Sequence, residues 1–357
     1  MTRKDFLKTL AGAATVVASN PARSAAEVKS TMKRGVSLYS YQEEIYTHTM
    51  TVEDCIREVA EMGADGIEII AEEFVPNFPS PSDQWVDQWH GWMDKYHTVP
   101  SCYDQFLETK IHKGRPVSGD ESLEMLTRDL ELARRLGYKT IRLVNNTPTE
   151  LVEQCIPIAE KYDIRVGFEV HAPIPLDGEM VNSVLELIHK HGTNHIGFVP
   201  DFSLFVKRPI RVMSDRAIRD GIPERIVRYI DKAWQDGVPQ VAAAAEAARM
   251  GYHEQPHGYG TYFTRVYSSR MQDPRKMLPL MPYTFHTHAK FWEVTEDFRE
   301  YSIPYDEIIP VLQEGRYEHY LSSEFEGQRY TQDASETDSC EQVRRHHVMM
   351  KRLLGQA

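Results

Sequence analysis

Between residues 35 and 324, apolar segments of strand length alternate with longer amphipathic segments. Strand followed by helix, repeated along the chain, is the sequence form of a parallel sheet covered by its own crossover helices. Eight strands are read: Gly35–Ser40, Gly66–Ile70, Val99–Asp104, Thr140–Val144, Val166–His171, Ile196–Asp201, Thr284–Lys290 and Tyr320–Glu324. The expected helices include Val52–Met62, Ser122–Leu136, Glu150–Tyr162 and Met180–His191, with Gly63, Gly137 and Gly192 placed to close three of them. Eight units in this order can close into a (βα)8 barrel of the TIM class, an α/β fold.

The period breaks once. About 80 residues separate Asp201 from Thr284, where roughly 30 is usual. The segment at about 203–283 is therefore expected to be a long helical insertion between strands six and seven, with helices at Ile222–Trp234 and Val238–Met250 and an aromatic, glycine-containing stretch at Gly251–Tyr267. On a barrel, loops that follow strands lie at the catalytic face, so this insertion is expected to shape a pocket or a subunit contact. After strand two, Trp85, Trp89 and Trp92 either stack on a sugar ring or pack into the core.

The 357 residues exceed the roughly 250 of a plain barrel, yet one barrel with an insertion accommodates them, and residues 27–357 are read as a single domain. Residues 1–26 resemble a twin-arginine export signal. Arg3-Lys4 stands where two arginines are expected, an alanine-rich run follows, and Ser24 and Ala26 suit a signal peptidase. The expectation is export to the periplasm, with the cytoplasm as the alternative. The net charge of −12 becomes about −15 once that basic leader is gone. So acidic a surface repels phosphate backbones and anionic lipids, and no apolar run is long enough to span a bilayer, so no nucleic acid and no membrane partner is expected. Cys55, Cys102, Cys155 and Cys340 lie far apart, without zinc-knuckle or disulfide-scaffold spacing.

Polar groups at the C-terminal ends of barrel strands point into one common mouth. Strand five ends at Glu169, strand six at Asp201, strand seven runs His286-Thr287-His288-Ala289-Lys290, and strand eight runs through Glu324 and Glu326. Four neighbouring ends thus present carboxylate, carboxylate, imidazole and carboxylate. Alternate residues of a strand share a face, so His286 competes with His288, and Glu326 with Glu324. Carboxylates converging without a cation would repel one another, whereas one divalent metal would neutralise most of that charge. Oxygen-rich ligation with one imidazole suits Mn²⁺ first, with Mg²⁺ or Co²⁺ possible.

These strand ends resemble the xylose isomerase-like TIM barrels of the sugar phosphate isomerase and epimerase superfamily, over about residues 33–355. The resemblance implies metal ligands Glu169, Asp201, His288 and Glu324, with spacings of 32 and 36 residues in the outer pairs. It also implies that Glu169 and Glu324 exchange protons with substrate. A narrower resemblance, to the alpha subunits of C-glycoside deglycosidases, rests on Arg34-Gly35-Val36-Ser37-Leu38-Tyr39-Ser40-Tyr41, on Gln88-Trp89-His90-Gly91-Trp92-Met93 and on Glu169-x-His171. It implies His171 as general base and a small beta subunit as partner.

The leading expectation is a metal-dependent isomerase or epimerase of an unphosphorylated sugar or keto sugar, working through a metal-stabilised ene-diolate. One alternative is a lyase that cleaves 3-dehydro glycosides by β-elimination, and another is a carbohydrate-binding protein without catalysis. The expected partner is a small-molecule sugar or glycoside, with a homo-oligomer as the assembly. His171, Glu169 and Glu324 are the catalytic candidates, and Asp104, Arg142, His286 and Lys290 the substrate-binding ones.

Overall fold

The computed structural model describes residues 30–253, 262–269, 271–331 and 338–356. The expected leader at 1–26 and part of the aromatic stretch after Gly251 lie outside these. Eight parallel strands form one sheet: β1 Lys33–Ser37, β2 Gly66–Ile70, β3 Val99–Gln105, β4 Thr140–Leu143, β5 Arg165–Val170, β6 Ile196–Pro200, β7 Thr287–Phe291 and β8 Tyr320–Phe325. Their spatial order is β6-β5-β4-β3-β2-β1-β8-β7. Two isolated parallel bridges, Phe198 with Thr284 and Asp201 with His288, join the ends of that order into a TIM barrel.

The first strand stops three residues short of its expected end. Leu38–Tyr41 form a buried 3₁₀ turn, and a short buried apolar run does not reveal its own backbone conformation. Other elements match local chemistry more closely. Thr51 and Ser118 each build a capping box at a helix start. Gly192 closes Glu179–His191 in the left-handed region, at φ 61°.

Trp89 belongs to the core. It is fully buried and donates its indole N–H to Leu136 O at 3.0 Å; Trp85 stacks on it with ring centroids 5.9 Å apart, and Trp92 meets Trp85 edge-on at 6.3 Å. Gly197 of β6 is needed for close approach, since a Cβ there would stand 2.1 Å from Tyr283 O. Between β6 and β7 the chain forms helices Arg211–Arg219, Glu224–Gln235, Gln240–Arg249 and Tyr262–Ser268, then a 3₁₀ stretch at Pro274–Tyr283. The Glu224–Gln235 helix buries Ile226, Val227, Ile230 and Ala233, a repeat of one helical face. No described helix is long and apolar enough to cross a membrane.

Candidate metal centre

Parallel strands put successive residues on opposite faces, and the barrel turns one face of each strand toward its axis. Glu169 near the end of β5, Asp201 just past β6, His288 in β7 and Glu324 in β8 meet there. His288 Nδ1 lies 3.1 Å from Glu169 Oε1, 3.6 Å from Asp201 Oδ2 and 3.3 Å from Glu324 Oε2. All four residues are buried. On the other side of the ring, His288 Nε2 stands 2.8 Å from Glu68 Oε1.

Two cations hold this acidic cluster together. Lys290 Nζ is 3.1 Å from Asp201 Oδ2 and 3.0 Å from both Glu324 Oε2 and Glu326 Oε1. Arg142 Nε bonds Asp104 Oδ1 at 3.0 Å, and its Nη1 lies 3.9 Å from Glu169 Oε2. Burial works to raise the Glu169 carboxyl, but Arg142 and His288 hold it down to about 2. At Glu324 burial prevails over His288 and Lys290, and the carboxyl rises to about 8. Burial disfavours an imidazolium at His288, yet Glu324 and Glu68 hold its pKa well above the usual histidine value.

Asp201 Oδ2 and Glu324 Oε2, although close to Lys290, are buried oxygens without a hydrogen bond. Among native structures such atoms call for an explanation, and a cation is one. Donor atoms of Glu169, Asp201 and His288 all lie within 4.8 Å of one another, close enough to hold one metal ion. The residues present therefore fit a divalent cation, with Glu324 available as a fourth ligand.

The other candidate residues fall around this cluster. Glu326 is engaged by Lys290, whose Nζ donates to its Oε1 at 3.0 Å. His286, two residues nearer the N-terminal end of its strand than His288, has no exposed surface and bonds Glu68 Oε2 at 2.7 Å. It is held inside the barrel. Asp104 and Arg142 are both buried and paired through Oδ1 and Nε, while Asp104 Oδ2 and Arg142 Nη1 are left without a hydrogen bond. His171 is half-buried, and its Nδ1 lies 2.6 Å from Ala172 O. A carbonyl oxygen only accepts, so Nδ1 carries a hydrogen, and in the neutral ring the lone pair falls to Nε2.

Glu68 was not among the expected site residues. Its signal was the single carboxylate in Gly66-Ile67-Glu68-Ile69-Ile70. A charge flanked by apolar residues in a fully buried strand must find a partner inside.

The model of the xylose isomerase-like TIM barrel family matches residues 56–346. The chain belongs to this family. Among curated proteins, this xylose isomerase-like barrel is 27% identical over 332 residues to a C-glycoside deglycosidase alpha subunit of Arthrobacter globiformis, covering 92% of this chain and 94% of that one. It is also 27% identical over 335 residues to a 3'-dehydrocarminate deglycosidase alpha subunit of Microbacterium sp, covering 90% and 95%. Among solved structures, a sugar phosphate isomerase/epimerase from Parabacteroides distasonis shares the fold with a TM-score of 0.53 at 13% identity, covering 94% of this chain and 98% of that one. Both curated relatives are named as subunits of enzymes, and this chain too is an enzyme.

Proposed function

We propose that this barrel is a divalent-metal-dependent lyase that cleaves 3-dehydro glycosides by β-elimination, as the alpha subunit of an enzyme with a smaller partner. The observation that carries the metal requirement is the convergence of Glu169, Asp201, Glu324 and His288 Nδ1 with two buried carboxylate oxygens left unbonded. Near-full-length similarity to two deglycosidase alpha subunits supports the substrate class and the partner. An oxygen-rich donor set with one imidazole favours Mn²⁺, with Mg²⁺ or Co²⁺ as substitutes. The bound cation would supply positive charge to the keto oxygen as the neighbouring C–H is lost.

His171 acts as the base through its free Nε2 and takes the proton from C2. The C2–H electron pair becomes the C1=C2 double bond, and the bond from C1 to the aglycone breaks with its electrons on the aglycone. That group then takes up a proton. Arg142 and Lys290 keep Glu169 and Asp201 ionised, and so keep them ready as ligands.

Glu169 and Glu324, 3.1 and 3.3 Å from the same His288 Nδ1, favour a second reading, epimerisation, in which these two carboxylates exchange protons with the substrate. Mn²⁺-loaded protein incubated with a 3-keto glycoside in D₂O separates the readings. Release of aglycone is expected. Deuterium entering the sugar without release supports epimerisation instead, and neither event refutes both. A leader on residues 1–26 and export by the twin-arginine route belong to this same proposal.

A further inference from the structure

Glu68 sits at the centre of a buried chain, His286–Glu68–His288. Its Oε2 accepts from His286 Nε2 at 2.7 Å, and its Oε1 lies 2.8 Å from His288 Nε2, a short contact that is bent away from the line of the ring N–H. Glu68 and both imidazoles have no exposed surface. Its two carboxylate oxygens thus face two imidazole rings, one each.

A neutral imidazole has one N–H and one lone pair, and which nitrogen holds which is set by what the other nitrogen meets. For His288 the two sides differ sharply. Nδ1 faces Glu169, Asp201 and Glu324, where a cation needs a lone pair. Without an acceptor at Nε2, the hydrogen would do as well on Nδ1, donated to Glu169 at 3.1 Å, and a donor there repels a metal ion.

We propose that Glu68 is the positioning residue of the metal centre: it takes the Nε2 hydrogen of His288, leaves the Nδ1 lone pair for the cation, and is itself fixed by His286. This rests on the metal reading of Glu169, Asp201, His288 and Glu324 made above. An ionised group so deep adds little stability that a well-packed apolar side chain would not supply, so its value lies in orienting a ligand.

A second arrangement is geometrically open. Glu68, Cys102 and Asp104 also bring donor atoms within 4.8 Å of one another. There Arg142, 3.0 Å from Asp104, already supplies the positive charge, and burial pushes the Cys102 thiol well up, away from thiolate. A cation has less to gain in that position.

Titration of the full chain with Mn²⁺, followed by calorimetry and by the electron spin resonance of free Mn²⁺, tests the proposal. Glu68→Leu is expected to weaken binding by about 10- to 100-fold, the usual effect of removing the partner of a ligating imidazole. Glu68→Gln is expected to retain most of the affinity, because its carbonyl oxygen still accepts from His288 while its amide forces His286 to move its hydrogen to Nδ1. Ring ¹⁵N shifts in the Mg²⁺-loaded Gln variant should report that change at His286 and none at His288.

Equal Mn²⁺ affinity in wild type and Glu68→Leu would overturn the proposal while leaving the metal centre intact. If Glu68→Leu does not fold, Glu68→Gln decides: an unchanged His286 tautomer overturns the proposal. A wild type binding two Mn²⁺, with Glu68→Leu losing one of them, would assign Glu68 to a second cation and also overturn it. A wild type that takes up no Mn²⁺ removes the metal reading and this inference with it.

Discussion

Loading the metal centre should expel protons, and their number follows from the site. Glu324 rises to about 8 in the metal-free protein, so at pH 7 it is about 0.9 protonated. Glu324 and Glu68 hold the His288 pKa above that of a free imidazole, and any proton on Nδ1 must leave before Nδ1 can bind a cation, so His288 adds to the release. Glu169, held at about 2, and Asp201, held well below the usual aspartate range, contribute none. Glu324 alone gives a release of about 0.9 proton per Mn²⁺ at pH 7, and the total should fall by about 0.8 proton between pH 7 and pH 9, where Glu324 has already ionised. Calorimetric titration at fixed pH in Pipes, Hepes and Tris gives the number directly, as the slope of the observed enthalpy against buffer ionisation enthalpy. A slope near zero at pH 7 would show that the cation does not displace protons from Glu324 and His288, and the ligand assignment would fail.

Two further predictions concern the fold around the site. Gly197→Ala drives a Cβ to within 2.1 Å of Tyr283 O, a backbone atom, and should lower stability by about 1–3 kcal/mol in a denaturant melt; a loss below about 0.5 kcal/mol would contradict the close packing of β6 there. His346 is fully buried, bonds Ser323 Oγ at 2.8 Å, and is depressed by burial from 6.5 to about 3. Stability is therefore present above pH 6.5 and lost as pH falls toward 3, because the unfolded chain takes up a proton that the folded one refuses. Wild type should lose about 1.4 kcal/mol more per pH unit than His346→Gln between pH 6 and 4, and parallel slopes would refute the depressed value.

The barrel was legible because buried parallel strands read as short apolar runs bounded by helix signals, and all eight begin and end within three residues of expectation. Strand-end position also carried the four residues that meet at His288 Nδ1. What the sequence left open was which of two residues on one strand face reaches the carboxylate cluster, a matter of axial depth that periodicity does not encode. Depth separates His286 from His288 and Glu326 from Glu324. Pairing across strands was hidden for a related reason. Asp104 and Arg142 are direct register partners of β3 and β4, as Lys290 and Glu324 are of β7 and β8, and register emerges only when the barrel closes. Glu68 escaped notice because a lone carboxylate in a strand gives no sign of which neighbour neutralises it.

The joint between β6 and β7 gives the centre a second consequence. Elsewhere around the barrel neighbouring strands share ladders, whereas here the contact is two isolated bridges, one of them pairing Asp201 with His288. The same two residues are candidate ligands of one ion. A cation gripped from both sides would act as a clasp across the weakest seam of the cylinder, and would fasten together strands that stand more than 80 residues apart in the chain. Removal of the ion would then do more than silence the chemistry. It would let the cylinder begin to open along that line, so that mechanical integrity and catalytic readiness are set by a single bound atom.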